Sequence, residues 1–195
     1  MRRTLLTLTA ALAATALFST ASQAQNFPDK TITFIVPFAA GSATDLLARA
    51  LAQAVTLDTK VSVVVDNKPG GNAFIGAQAA AKAKPDGYTV LIATNTTHAA
   101  NEHLFKKLPY DPVKDFEPLT LLGRGGQIML VNPSLGVNTV AEFVKLAKSK
   151  PGKLSFGSGS SSSRIAGELF KQMAGAYIVA IPYRSNPPAV TDLIG

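Results

Sequence analysis

Residues 31–55 read TITFIVPFAAGSATDLLARALAQAV. Thr31–Val36 is a short apolar run rich in β-branched residues, and it stops at Pro37, which has no amide proton for a strand ladder. From Thr44 to Val55 the period changes, and apolar residues recur at helical spacing. Ser42 or Thr44 is placed to cap that helix. Val61–Val65 is β-branched again. The strands of this strand–helix–strand unit are apolar throughout rather than alternating, as in parallel strands covered on both faces.

The same alternation continues outward. Lys68-Pro-Gly-Gly-Asn72 is a turn cluster, Ala73–Ala83 is helical, and Pro85-Asp86-Gly87 turns the chain into a strand at Tyr88–Ala93. A short helix is expected at Ala99–Phe105 and a strand at Leu119–Leu122, followed by a flexible joint at Gly123-Arg-Gly-Gly126. A second unit repeats the pattern of elements without repeating the sequence. Its expected strands are Ile128–Val131, Leu154–Phe156 and Tyr177–Ile181; its helices are Thr139–Lys148, capped by Thr139, and Ser163–Met173. We therefore expect an α/β protein of two lobes with mostly parallel sheets, the first over 25–123 and the second over 124–195. A helix begins after Pro187-Pro188 and the chain stops at Gly195, so the second lobe is expected to be incomplete at the C-terminus.

Residues 1–24 have the form of an export signal. Met1-Arg2-Arg3 is a positive start, Thr4–Phe18 an uncharged Leu/Ala-rich run, and Ser22-Gln23-Ala24 sets small residues for cleavage after Ala24. The apolar run is shorter than the roughly 20 residues a bilayer span needs. No cysteine follows it for a lipid anchor, so a soluble, periplasmic mature chain is expected. The absence of cysteine from the whole sequence excludes disulfides, thiolate metal sites and a cysteine nucleophile. The net charge of +7 includes Arg2 and Arg3, and the remaining basic residues are scattered, with Lys106-Lys107 the one adjacent pair after the leader. Nucleic-acid binding needs a basic stripe with interleaved aromatics, and none is present.

Three loops leave strand ends and enter helices with small or hydroxylated residues: 37–45, 94–98 and 157–163. Backbone amides at a helix N-terminus form a ready anion site, and glycine lets a ligand approach them. Arg164 and Arg184 are the charged side chains best placed to meet a carboxylate in bidentate fashion. Other chemistry is poorly supported. Gly157-x-Gly-x-x-Ser162 lacks the third glycine of a dinucleotide fingerprint, and neither a P-loop nor Gly-x-Ser-x-Gly occurs. His98, Glu102 and His103 do not share one helix face and lack a further metal ligand. No metal or cofactor is expected. The alternative function is an exported hydrolase using a serine of the 157–163 loop, with a trio such as Ser160, His98 and Asp45.

Several stretches together resemble one family. They are Phe27-Pro-Asp-Lys30 with TITFIVPFAAGSATD, residues 66–76 (DNKPGGNAFIG), Pro85-Asp-Gly-Tyr88, Thr94-Asn95 with His98, and residues 107–116 (KLPYDPVKDF). Further matches are Pro151-Gly-Lys-Leu154, Ala166–Phe170, Pro182-Tyr183 and residues 189–195 (AVTDLIG). In order and spacing the chain resembles the tripartite tricarboxylate transporter substrate-binding proteins, the Bug family.

That resemblance implies a type II periplasmic-binding-protein fold and no catalysis. It implies a receptor that closes two lobes on a small carboxylate and hands it to membrane permease subunits, working as a monomer. Ligand contacts then carry over onto Phe38, Gly41, Ser42, Thr44 and Asp45, onto Thr94, Asn95 and His98, and onto Gly157, Ser158, Gly159 and Ser160. The chain departs from the family in having Ala39-Ala40-Gly41-Ser42 where Pro-Pro-Gly-Gly is usual, and in Arg164 and Arg184-Ser185. An extra guanidinium near the cleft suits a more highly charged anion.

Overall fold

The computed structural model describes residues 27–195; the leader and the cleavage site expected at Ala24 lie outside the described residues. The first unit comprises β1 (Ile32–Val36), α1 (Ala43–Thr59), β2 (Val63–Asn67), α2 (Phe74–Ala81) and β3 (Thr89–Leu91). A π-helical turn at Thr96–Ala100 then runs into the one-turn helix α3 (Asn101–Leu104). The sheet order is β2-β1-β3 and every pairing is parallel, with Ile32 opposite Val63 and Thr33 opposite Thr89. β1 is therefore central, which explains why four of its five residues are buried. Ile32, Phe34 and Val36 pack with Phe38, Ala48, Ala52, Ala73 and Ile92 into one core. Fully burying each larger side chain is worth about 1.5–3 kcal/mol.

Of the two capping residues considered for α1, Ser42 takes the position: its Oγ accepts from the Asp45 amide at 3.2 Å. Ala48 and Ala52, one turn apart, are the small residues that let α1 lie close on the sheet. At the start of α2, Gly76 meets the turn after β1. A methyl group there would lie 2.7 Å from Pro37 Cα, so this contact requires glycine.

The second unit comprises a 3-10 turn at Pro133–Leu135, α4 (Val140–Ser149), β4 (Ser155–Ser158), α5 (Ser161–Ala174), β5 (Val179–Pro182) and α6 (Asn186–Ile194). β4 and β5 pair in parallel, from Ser155 opposite Val179 to Ser158 opposite Pro182. Thr139 caps α4 in a reciprocal box with Glu142. Ala147, Ala176 and Ile178 form the buried centre, with Leu154, Phe156, Phe170 and Ala174 packed around it.

The strands expected at Leu119–Leu122 and Ile128–Val131 are not formed. Residues 117–131 carry no regular structure, and Leu119 and Ile128 are 77% and 83% exposed. β-propensity reports how well a side chain packs on a pleated surface, not a backbone preference. Among the described residues no strand lies beside this segment to take its ladder hydrogen bonds. No helix among the described residues is long and apolar enough to cross a membrane.

Candidate functional site

The first loop is shaped from behind by Asp45, whose residue is only 1% exposed. Its Oδ2 accepts from the Gly41 amide at 2.9 Å and from Arg49 Nε at 3.0 Å, and its Oδ1 accepts from Asn67 Nδ2 at 2.9 Å. Asn67 Nδ2 also donates to the Phe38 carbonyl at 3.0 Å. Burial pushes the Asp45 carboxyl up, but the hydrogen bonds from Arg49, Gly41 and Asn67 outweigh it and hold its pKa below the ordinary carboxylate value. Both carboxylate oxygens are thus committed inside the protein. Asp45 organises the loop, and Phe38 is what the loop presents.

A second wall comes from the turn before α2. Gly70, Gly71, Asn72 and Ala73 all have positive φ, at 118°, 55°, 54° and 70°. For Asn72 and Ala73 this is a strained conformation, persisting only where the surroundings over-determine it. Ala73 is also the N-cap of α2 and supplies no side-chain cap. The helix start is therefore left without an internal acceptor from its capping side chain, and it carries the positive end of the helix dipole.

The third loop is packed to the limit. A methyl group on Gly159 would fall 2.0 Å from the Ser185 carbonyl carbon and 2.1 Å from the Asn186 nitrogen. The Gly159 amide donates to Asn186 Oδ1 at 3.0 Å. Ser160 caps α5, its Oγ accepting from the Ser163 amide at 3.2 Å while Ser163 Oγ accepts from the Ser160 amide at 3.0 Å.

These pieces meet around a cavity of about 270 Å³ lined by Phe38, the 70–73 turn, Gly159 and Pro182–Arg184. Its lining has no carboxylate side chain and one guanidinium, that of Arg184. A depression of about 530 Å³ along 108–113 is larger but carries Glu102 and Asp111, the wrong sign for an anion.

Of the residues singled out from sequence, Phe38, Gly159 and Arg184 line the cavity. Ser42 and Asp45 are buried at the start of α1, Thr44 is half-buried and Gly41 exposed, and none of the four lines the cavity. Thr94 is half-buried, and its Oγ1 lies buried without a hydrogen-bond partner. Asn95 is exposed, with Oδ1 accepting from Ser162 Oγ at 2.8 Å. His98 is half-buried, shares a 2.8 Å hydrogen bond between Nδ1 and Thr97 Oγ1, and stands edge-on to Phe116 at 4.7 Å. Burial lowers its pKa. Gly157 is exposed beside Tyr183 and Ala189, while Ser158 is buried, its carbonyl accepting from the Tyr183 amide at 2.8 Å. Arg164 is exposed on α5 and is not part of the cavity lining.

The 70–73 turn, Pro182 and Tyr183 line the cavity without being among the site residues expected from sequence. The signal available was Gly-Gly-Asn-Ala running into a helix with no capping hydroxyl. The side chains of Ser160–Ser163 cap a helix or bond to Asn and Thr partners, and none shares a hydrogen bond with a histidine. Among the described residues no three metal-ligating side chains come together.

Two α/β units, each with a parallel sheet, meet around a loop-lined cavity. Residues 47–195 match the tripartite tricarboxylate transporter family receptor (TctC) model, and the chain belongs to that family. It is 38% identical over 180 residues to a UPF0065 protein of Bordetella bronchiseptica, covering 92% of this chain and 54% of that protein. It is 34% identical to BugT of Bordetella pertussis, covering 93% and 57%. Among solved structures, it is similar to R. palustris Rpa4515 with adipate (36% identity, TM-score 0.84), over 86% of this chain and 57% of that one. It is also similar to MatC from Rhodopseudomonas palustris with bound malate (28% identity, TM-score 0.79), over the same shares. The chain thus spans little more than half the length of the relatives it matches. The fold is that of the periplasmic binding proteins, and the family is one of receptors rather than enzymes.

Proposed function

We propose that the protein is a periplasmic solute-binding receptor that captures a small carboxylate between its two lobes and delivers it to a membrane transporter of the tripartite tricarboxylate type. The observation that carries this reading is the cavity itself: glycine-rich backbone and an uncapped helix start on one side, Gly159 and Arg184 on the other, and no acidic side chain in its lining. Amide donors recognise a carboxylate without a metal or lysine, and a guanidinium adds a bidentate partner. The structures with adipate and malate support a dicarboxylate as the ligand class. Export with cleavage after Ala24, and lobes divided at 123/124, belong to the same proposal.

A charge-assisted bond contributes about 1.5–3 kcal/mol, so three or four give micromolar binding once ordering costs are met. A thermal-shift screen of the purified protein against mono-, di- and tricarboxylates, aromatic acids and amino acids tests it. Ligand at 100 times its Kd adds about 2.7 kcal/mol, a shift of several degrees. Stabilisation by one chemical group of acids is the expected result. A cooperative melt that no acid moves would overturn the assignment for this chain.

A further inference from the structure

Asn101, on α3, is completely buried, and its amide joins three distant segments. Nδ2 donates to the Asn72 carbonyl at 2.9 Å and to Tyr110 Oη at 3.3 Å; Oδ1 accepts from Ser161 Oγ at 2.7 Å. Tyr110 Oη passes its own proton to the Thr97 carbonyl at 2.7 Å, so donors and acceptors are matched along the whole chain of bonds. Asn72 belongs to the turn that lines one side of the cavity. Ser161 is the first residue of α5, two positions after Gly159 on the other side. A second tie runs alongside. Ser162 Oγ gives its single proton to Asn95 Oδ1 at 2.8 Å and therefore accepts from Thr96 Oγ1 at 2.9 Å.

We propose that Asn101 is a positioning residue of the cavity, fixing through Asn72 and Ser161 the spacing between the walls that grip the ligand. Asparagine alone among small side chains presents two donors and an acceptor in one plane. The walls belong to different sheets, and these bonds run directly between them. Were the walls to part, a fully buried amide would be left unpaired, which the interior penalises. The inference rests on the receptor reading for its consequence, not for its geometry.

The chain has no cysteine, so a pair of nitroxide labels can be placed cleanly at Lys82→Cys and Met173→Cys, exposed positions on the two units. The label-to-label distance distribution and the adipate Kd are then measured in Ser161→Ala and Asn101→Ala. Ser161→Ala deletes only one hydroxyl. It is expected to widen or shift the distribution, to lower the melting temperature by a few degrees because Asn101 Oδ1 loses its partner, and to raise the adipate Kd about two- to tenfold. Asn101→Ala is expected to widen it further, and adding Ser161→Ala to it should change nothing more. Should Asn101→Ala fail to fold, Ser161→Ala decides the question. Distributions that superimpose on the parent would overturn the proposal. If the parent binds neither adipate nor any other acid, the receptor reading fails, while the distances still decide the role of Asn101.

Discussion

The Gly41 amide donates to the Asp45 carboxylate at 2.9 Å, folding the loop after β1 back onto the helix that follows it. A negative side chain beside a proposed anion site looks out of place until this bond is seen. The charge is paired with Arg49, 3.0 Å away, and hydrogen-bonded by Asn67, and of this loop only Phe38 lines the cavity.

Replacing Asp45 by asparagine should therefore act through the loop. Loss of the charge-assisted bonds should cost about 2 kcal/mol, seen as a fall of several degrees in Tm. Its pH dependence has a definite sign. The folded pKa lies below the ordinary 3.8, so the stabilisation is complete above that value and is lost as pH falls through the folded pKa. Asp45→Asn should flatten this acid limb, and an unchanged acid transition would show that Asp45 does not contribute to it.

Arg184 makes the opposite kind of prediction. It is exposed and has no ion-pair partner among the described residues, so Arg184→Ala should leave Tm within about a degree. Carboxylate affinity should nonetheless fall about tenfold or more, as a charge-assisted bond is removed. Calorimetric titration with adipate reads this directly, and equal affinity would take Arg184 out of the site.

Gly159→Ala should be destabilising, because the added methyl meets the Ser185 backbone at 2.0 Å and backbone cannot swing aside. Overpacking of this kind costs typically 1–3 kcal/mol. Denaturant unfolding should show the loss as a lower midpoint.

His98 supplies a second pH signature, well separated from the first. Burial depresses its folded pKa below 6.5, so the unfolded chain takes up the proton first. Stability should be full above pH 6.5 and decline as pH falls through the folded pKa. His98→Gln should remove that step, as monitored by Tm across pH 5 to 8.

Much of the scaffold was legible because β1, α1 and β2 state their periods plainly, and because Thr139 is a hydroxyl standing where a helix begins; α5, expected from Ser163, starts two residues earlier behind Ser160. The error at 117–131 has a physical cause. Leu119–Leu122 and Ile128–Val131 have strand composition, but a strand exists only with a neighbour, and neighbours are a property of topology. The cavity was half legible for a related reason. Phe38 and Gly159 sit in loops whose helix starts are visible locally. The 70–73 turn joins them only because β2 lies beside β1, which local sequence does not reveal. The resemblance implied Asp45 as a ligand contact, whereas both its carboxylate oxygens are held by Gly41, Arg49 and Asn67, because burial, not residue type, decides which way a carboxylate faces.

The order β2-β1-β3 leaves β1, the earliest of the described strands, open along one edge until Thr89 reaches Thr33. Until both neighbours arrive, residues 31–36 are an uncharged β-prone run with both edges bare, the composition that seeds intermolecular aggregation. Lys30 immediately before it and Pro37 immediately after it bracket this run with a charge and a residue that cannot extend a ladder, the arrangement of gatekeepers. The same proline that ends β1 thus also guards the chain on its way to the fold.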